Sequence, residues 1–153
     1  ESLEAQKLLA TEWGVQADVW SCPSFNELAR EGRGVDRWNL LHPDEPPRTS
    51  FVGQQLADHP GPVVASTDWV KAYADQIRAF IPAGRSYTVL GTDGYGRCDF
   101  RFRLREHFEI NHHYIVLAAL TALADEGKVK KSKVAEAIKK YAIKVDKIDP
   151  LYA

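Results

Sequence analysis

Apolar positions in this chain change their spacing from segment to segment, and the changes mark out its helices, strands and turns. Between Ser2 and Trp13, Leu3, Leu8 and Leu9 recur at helical spacing among polar residues, and Gly14 stands where a helix stops. Val15, Ala17 and Val19 then alternate toward Trp20, which predicts a strand. Pro23 breaks that strand, and Ser24 caps a short helix ending near Gly32. Asp36 to His42 is expected to add a helical turn or two. Three prolines between Pro43 and Pro47 then forbid regular hydrogen bonding and leave an ordered surface loop. Phe51, Gln54, Gln55 and Leu56 predict a short helix closing at Asp58-His59-Pro60-Gly61.

The stretch from Val63 to Arg105 carries the strongest pattern. Pro62-Val63-Val64-Ala65-Ser66 is short and β-branched, Thr67 and Asp68 are placed to cap the helix they precede, and Tyr87-Thr88-Val89-Leu90 is a second buried-strand pattern. A βαβ unit follows, ending in a glycine turn crowded with arginine. Beyond it are expected a helix around Phe102 to Phe108 and a long apolar helix from His112 to Glu126, capped by Asn111 and closed by Gly127. A lysine-rich helix ends the chain. About three strands are visible, few for a parallel sheet covered on both faces.

Composition narrows the class. At 153 residues with 44% hydrophobic and 27% charged content, the chain suits one domain, residues 1–153, around one core. Its net charge of −1 hides a dipolar layout. From Gly127 onward eight lysines face three carboxylates, a local +5, while the first 126 residues hold 12 basic against 18 acidic side chains, or −6. Val134, Ala137, Ile138, Tyr141 and Ala142 recur at helical spacing behind those lysines, so a solvated helix face is expected, without the interleaved aromatics of a single-strand nucleic-acid binder. Cys22 and Cys98 form no Cys-x-x-Cys pair and read as reduced thiols. No signal peptide opens the chain, and the run from Tyr114 to Ala124 is far short of the roughly 20 residues of a membrane helix, so a cytoplasmic location is expected.

Candidate chemistry gathers at the turn. Glycines at 91, 94 and 96 match neither the dinucleotide fingerprint nor the P-loop. Two readings stay open. Backbone amides with Arg97, Arg101, Arg103 and Arg105 bind an anion at a strand's carboxyl end, or the glycines permit a tight reversal while the arginines reach carboxylates across a subunit contact, with Asp93 and Asp99 as local partners. The second is favoured. Phe100 and Phe102 alternate with the arginines as apolar anchors ringed by charge, although a half-buried strand would show the same alternation. Asp93, Tyr95, Arg97, Phe100 and Arg101 are therefore the candidates for an interface or anion contact. His112 and His113 are adjacent and point to different helix faces, so they do not grip one metal as an i, i+4 pair would. No catalytic, cofactor-binding or metal-ligating residue is expected, and the pattern does not assign which of Trp13, Trp20, Trp38 and Trp69 are core.

The loop LGTDGYGRCDFR (Leu90 to Arg101) is specific enough to carry a resemblance, together with SFNELAREG (Ser24 to Gly32), RWNLLHP (Arg37 to Pro43), VASTDWVKAYADQIR (Val64 to Arg78) and the closing helix up to Asp149-Pro150. In that order they resemble the C-terminal domain of the homodimeric bacterial pyruvate dehydrogenase component, within the transketolase-like superfamily. The likeness spans essentially the whole chain. It implies an α/β fold, a three-layer αβα with a mainly parallel sheet, lacking the first strand with which family members open this domain. It further implies a structural and dimerisation role in an enzyme that decarboxylates pyruvate with thiamin diphosphate and Mg²⁺ and acetylates the lipoyl group of dihydrolipoyl acetyltransferase. The implied partners are the other domains, the second subunit and the acetyltransferase, with no nucleic acid and no membrane. Thr92-Asp93-Gly94 departs from the family's Gly-Asp-Gly coenzyme motif, and Asn111 is the sole downstream asparagine, so the isolated chain is expected to be non-catalytic. Cys98 stands where the family has serine.

Overall fold

The structure is a computed structural model describing residues 1–153. Its elements are α1 (Ser2–Trp13), α2 (Phe25–Leu41), α3 (Phe51–Leu56), β1 (Val63–Ser66), α4 (Lys71–Asp75), β2 (Tyr87–Leu90), α5 (Arg101–His107), α6 (His112–Asp125) and α7 (Lys131–Lys140), with 3-10 turns at Arg78–Phe80 and Pro150–Tyr152. Strands β1 and β2 pair in parallel, Val63 opposite Tyr87 through Ser66 opposite Leu90. Alternate side chains leave such a pair on opposite faces, and each face is covered. Val64 and Leu90 pack under a cluster built by Ala5, Leu9 and Trp13 of α1, Ile115, Val116 and Leu120 of α6 and Ala137 of α7. Val63, Ala65 and Val89 pack on the other side with Ala29, Val52, Ile77, Phe80 and the Tyr87 ring. Helices thus flank a small parallel sheet in three layers.

Three expectations need correction. Val15 to Trp20 is not a strand: the sheet has two strands only. Val15 and Ala17 pack on the α1/α6/α7 cluster, and the Ala17 carbonyl accepts from Gln6 Nε2 at 2.6 Å, so the alternation records a half-buried extended segment whose polar groups are served by a side chain. The helix begun by Ser24, whose hydroxyl accepts from Glu27 N, runs through Gly32 to Leu41 and absorbs the separate turn expected at Asp36–His42. Gly32 is there for packing, since a Cβ would lie 2.6 Å from the Phe80 ring. Thr67 and Asp68 do not cap the crossover helix. Helix α4 starts at Lys71, and the Thr67 hydroxyl accepts from Trp69 N instead.

The closing helix, expected up to Asp149-Pro150, ends at Lys140, and turns carry the chain on to Asp149; the other predicted elements stand where the spacing put them. Asn111 Oδ1 accepts from His113 N and Tyr114 N at the start of α6, and Gly127 closes that helix at φ 72°. The proline loop is tied down by Asn39, whose amide bonds both the N–H and the carbonyl of Arg48, while the Arg48 guanidinium lies 3.6 Å over the Trp38 ring. Several lysines are engaged and not merely solvated: Lys140 pairs with Glu12, Lys133 reaches the Trp13 carbonyl, and Lys147 bonds Glu109 and the carbonyls of Glu106 and His107. No helix is long and apolar enough to cross a membrane.

Candidate interface at the carboxyl end of the sheet

The ends of β1 and β2 are fastened to each other beyond the ladder. Thr92 N donates to the Trp69 carbonyl at 2.8 Å, the Thr92 hydroxyl to the Asp68 carbonyl at 3.0 Å, and Lys71 N to the Asp93 carboxylate at 2.8 Å. Asp93 therefore serves α4 from across the turn, taking an orphan amide that no side chain of the preceding loop reaches. Gly91 is required by proximity: a Cβ there would stand 2.7 Å from the Trp69 carbonyl oxygen. At Gly94, with φ 110°, a Cβ would stand 2.2 Å from the Pro150 carbonyl oxygen. The carboxyl-terminal turn is thus laid directly on the glycine turn, itself fixed by Asp149, whose carboxylate accepts from Leu151 N at 2.9 Å.

From this base the chain from Gly94 to Arg103 is exposed without interruption. Tyr95, Phe100 and Phe102 keep 81%, 73% and 63% of their surface, and the two phenylalanine rings stack on each other at 6.1 Å. That overturns the half-buried strand as an origin for the alternation: Phe100 precedes α5 and Phe102 lies in its first turn. Arg97, Arg101 and Arg103 form no ion pair. Their expected local partners are committed, Asp93 to Lys71 N and Asp99 to Phe100 N. Arg105 differs. Its guanidinium bonds both oxygens of Asp68, at 2.7 and 3.2 Å, and reaches Glu1 at 3.5 Å, and the Asp68 hydrogen bond raises its pKa. Glu1 also accepts from His112 N and Nδ1. Its partial burial pushes the carboxyl pKa up, but the His112 hydrogen bonds and nearby positive charges outweigh that and leave it below the ordinary value.

A cavity of about 80 Å³ lies beside the turn, among Lys71, Gly91, Asp93, Glu109, Asp149 and Pro150. Three carboxylates against one lysine make it a poor seat for an anion, which weighs against a phosphate cradle at the end of β2. The adjacent histidines take different partners although their rings meet edge to face at 4.3 Å: His112 bonds Glu1 while His113 stacks on Tyr141 at 4.3 Å. No group of three or more His, Cys, Asp or Glu is placed to hold a metal ion. Sequence reasoning did not find Val70, Leu151 and Tyr152, and left Trp69 undecided between core and partner surface; all four are exposed beside the turn. Their placement depends on the Gly91–Trp69 and Gly94–Pro150 contacts, between segments far apart in the chain.

A sequence model described as a transketolase-like TK C-terminal domain matches residues 1–111, which include α1 to α5 and the whole turn. The chain belongs to the transketolase-like TK C-terminal domain family. Among curated proteins, it is similar to the pyruvate dehydrogenase E1 component of Haemophilus influenzae, 59% identical over 150 residues, covering 98% of this chain and 17% of that protein. The E1 component of Cupriavidus necator is 56% identical over 151 residues, 99% of this chain and 17% of the relative. That of Escherichia coli is 49% identical over 150 residues, with shares of 98% and 17%. This transketolase-like domain spans about one sixth of the length of the relatives it matches, and it corresponds to the C-terminal part of the E1 component. Those matches extend past residue 111, so α6, α7 and the closing turn over Gly94 are part of the same unit of similarity.

Proposed function

We propose that residues 1–153 form one C-terminal structural and dimerisation domain of a pyruvate dehydrogenase component. In this reading the other domains of the parent enzyme decarboxylate pyruvate with thiamin diphosphate and Mg²⁺, and the acetyl unit passes to the lipoyl group of dihydrolipoyl acetyltransferase. What supports it is the exposed run from Gly94 to Arg103, with three large aromatics and three unpaired arginines held on a fastened base. Aromatic and arginine side chains are the usual anchors of protein interfaces, and a guanidinium without a carboxylate is ready for a bidentate partner. Tyr95, Arg97, Phe100 and Arg101 make the contact, and Asp93 holds the turn behind them.

The coenzyme does not fit these residues. Asp93 is spent on Lys71 N, Gly94 is closed off by Pro150, and Asn111 Oδ1 caps α6, so no set of oxygens is left to hold Mg²⁺ on a diphosphate. The domain supplies architecture. In the full-length protein, Arg97→Glu with Arg101→Glu is expected to raise the dimer dissociation constant at least tenfold by sedimentation, with residues 1–153 alone showing no pyruvate decarboxylation. An unchanged dimer, or turnover by the isolated chain, refutes the reading. The unpaired arginines also admit a second reading, a small-anion site. Calorimetry with phosphate, nucleotide and pyruvate tests it, and saturable micromolar binding lost in Arg97→Ala would favour it.

A further inference from the structure

We infer that the groove between α2, α3 and the 3-10 turn at Arg78–Phe80 is a binding site for a small zwitterion, an α-amino acid with an apolar side chain. The inference goes beyond the interface reading and does not depend on it, since no residue from Asp93 to Arg103 lines this groove. Its volume of about 300 Å³ is that of a pocket for a small molecule. Val35, Ala57, Ala79 and Pro82 give it apolar walls, and Arg48 and Asp36 line it as well. Neither charged side chain has an ion-pair partner, and although they share one groove they do not pair with each other. Opposite charges held apart over apolar walls match a ligand that carries both.

Arg48 is set for a carboxylate before any ligand arrives. Its N–H donates to Asn39 Oδ1 at 2.8 Å and its carbonyl accepts from Asn39 Nδ2 at 2.9 Å, which fixes its backbone. Its guanidinium carbon lies 3.6 Å over the Trp38 ring, on which His42 also stacks, at 4.4 Å and 9°. At that distance the face of the guanidinium meets the ring, and the N–H groups on its edge are left without a hydrogen bond within the chain. The rotamer freedom usually lost on binding is therefore largely lost already. A simple anion on Arg48 would meet the like charge of Asp36, and a simple cation on Asp36 that of Arg48. An ammonium beside the carboxylate turns each repulsion into attraction, and the apolar end of the molecule has Val35, Ala79 and Pro82 to cover it.

The test is calorimetric titration of the full-length protein with L-leucine, 4-methylpentanoate and 3-methylbutylamine, which share an apolar end and differ in the ionic groups they carry. Leucine is expected to bind saturably, and each singly charged probe at least about tenfold more weakly. Arg48→Gln should weaken leucine at least about tenfold and leave 3-methylbutylamine no weaker, while Asp36→Asn should weaken leucine and leave 4-methylpentanoate no weaker. Both side chains are exposed, so neither change threatens folding, and Arg48→Lys, which keeps the charge without the planar fork, should recover part of the loss. No saturable binding of leucine, as when another part of the full-length protein fills the groove, would overturn the inference. So would binding that survives both substitutions, which places it elsewhere on the protein, or 4-methylpentanoate binding as tightly as leucine, which makes the groove a simple anion site. Each of these results leaves the dimer dissociation constant, and with it the interface reading, untouched.

Discussion

Gly94 and Gly96 sit two residues apart in one turn, and the structure predicts opposite outcomes for the same substitution. An alanine Cβ at Gly94 meets the Pro150 carbonyl oxygen at 2.2 Å, its carbonyl carbon at 2.9 Å and Leu151 Cα at 3.1 Å, on a backbone at φ 110° that L residues rarely adopt. At Gly96 nothing lies within 4 Å and φ is not positive. Holding alanine at an unfavourable φ costs roughly 1–3 kcal/mol. The clash is with backbone, so it is relieved only by lifting the closing turn, which exposes buried Pro150 for about another 1 kcal/mol. Gly94→Ala is therefore expected to lose about 2–4 kcal/mol, a fall in Tm of very roughly 5–15 °C for a chain this long. Gly96→Ala should stay within about 0.5 kcal/mol of the parent sequence. Urea unfolding followed by tryptophan fluorescence reads the stability, and amide exchange at Leu151 and Tyr152 reads whether the closing turn has lifted. If Gly94→Ala is as stable as Gly96→Ala and those two amides exchange as before, the closing turn is not seated on Gly94 and the reasoning fails.

Three further outcomes follow from packing and titration. Gly32→Ala gains about 1 kcal/mol of helix propensity but forces Phe80 aside at 2.6 Å, for a net loss of about 1–2 kcal/mol. Gly34→Ala, in the same helix with open space around it, should gain about 0.5–1 kcal/mol, and paired unfolding curves decide both. Leu120 is fully buried, and Leu120→Ala should cost about 2–5 kcal/mol by denaturant titration. His107 Nε2 is buried without a hydrogen-bond partner; burial first, then Arg97 and Lys147, hold the imidazole below its ordinary 6.5 against the opposing pull of Glu109. The unfolded chain thus takes up a proton more readily, and the stabilisation present above pH 6.5 is lost as pH falls through the lower folded value. Unfolding at pH 7.5, 6.5 and 5.5 should show that decline, and His107→Gln should flatten it.

Where sequence and structure agree, the signal was local. Helix α6 was legible because its cap, its apolar body and its closing glycine are contiguous, and β1 and β2 because a four-residue apolar run needs only to be buried on both faces. The errors came from residues whose role is set at a distance. Gly32 looks like a helix stop until Phe80 is known to lie over it, and Thr67-Asp68 looks like a cap until Asp93 is found taking the Lys71 amide from the next strand's turn. Val15, Ala17 and Val19 alternate as a strand does, yet alternation reports extended backbone and one-sided burial, not the presence of a neighbouring ladder. In the candidate interface, arginine and phenylalanine in alternation could be seen in the sequence, but not that every intervening position is exposed. The flanking Trp69 and Leu151 arrive only through tertiary contact.

The exposed run behaves as a bridge pinned at both ends. On one side Gly91 and Thr92 are bound to Trp69 and Gly94 lies under Pro150; on the other, Arg105 clamps α5 to Asp68 and Glu1, and Lys147 bonds the carbonyls of Glu106 and His107. Between the pins, from Tyr95 to Arg103, no side chain makes a hydrogen bond or ion pair to a distant part of the chain, and three large aromatics stand in water, each capable of about 1.5–3 kcal/mol on burial. Such an arrangement is sensible if the missing contacts lie on another surface, because a loop already fixed at its ends loses little further backbone freedom when that surface arrives. The pins also explain the location. Parallel strands bring their carboxyl ends to one edge, and the two connections leaving that edge here are fastened to each other, giving a rigid platform to the one stretch that the core does not use.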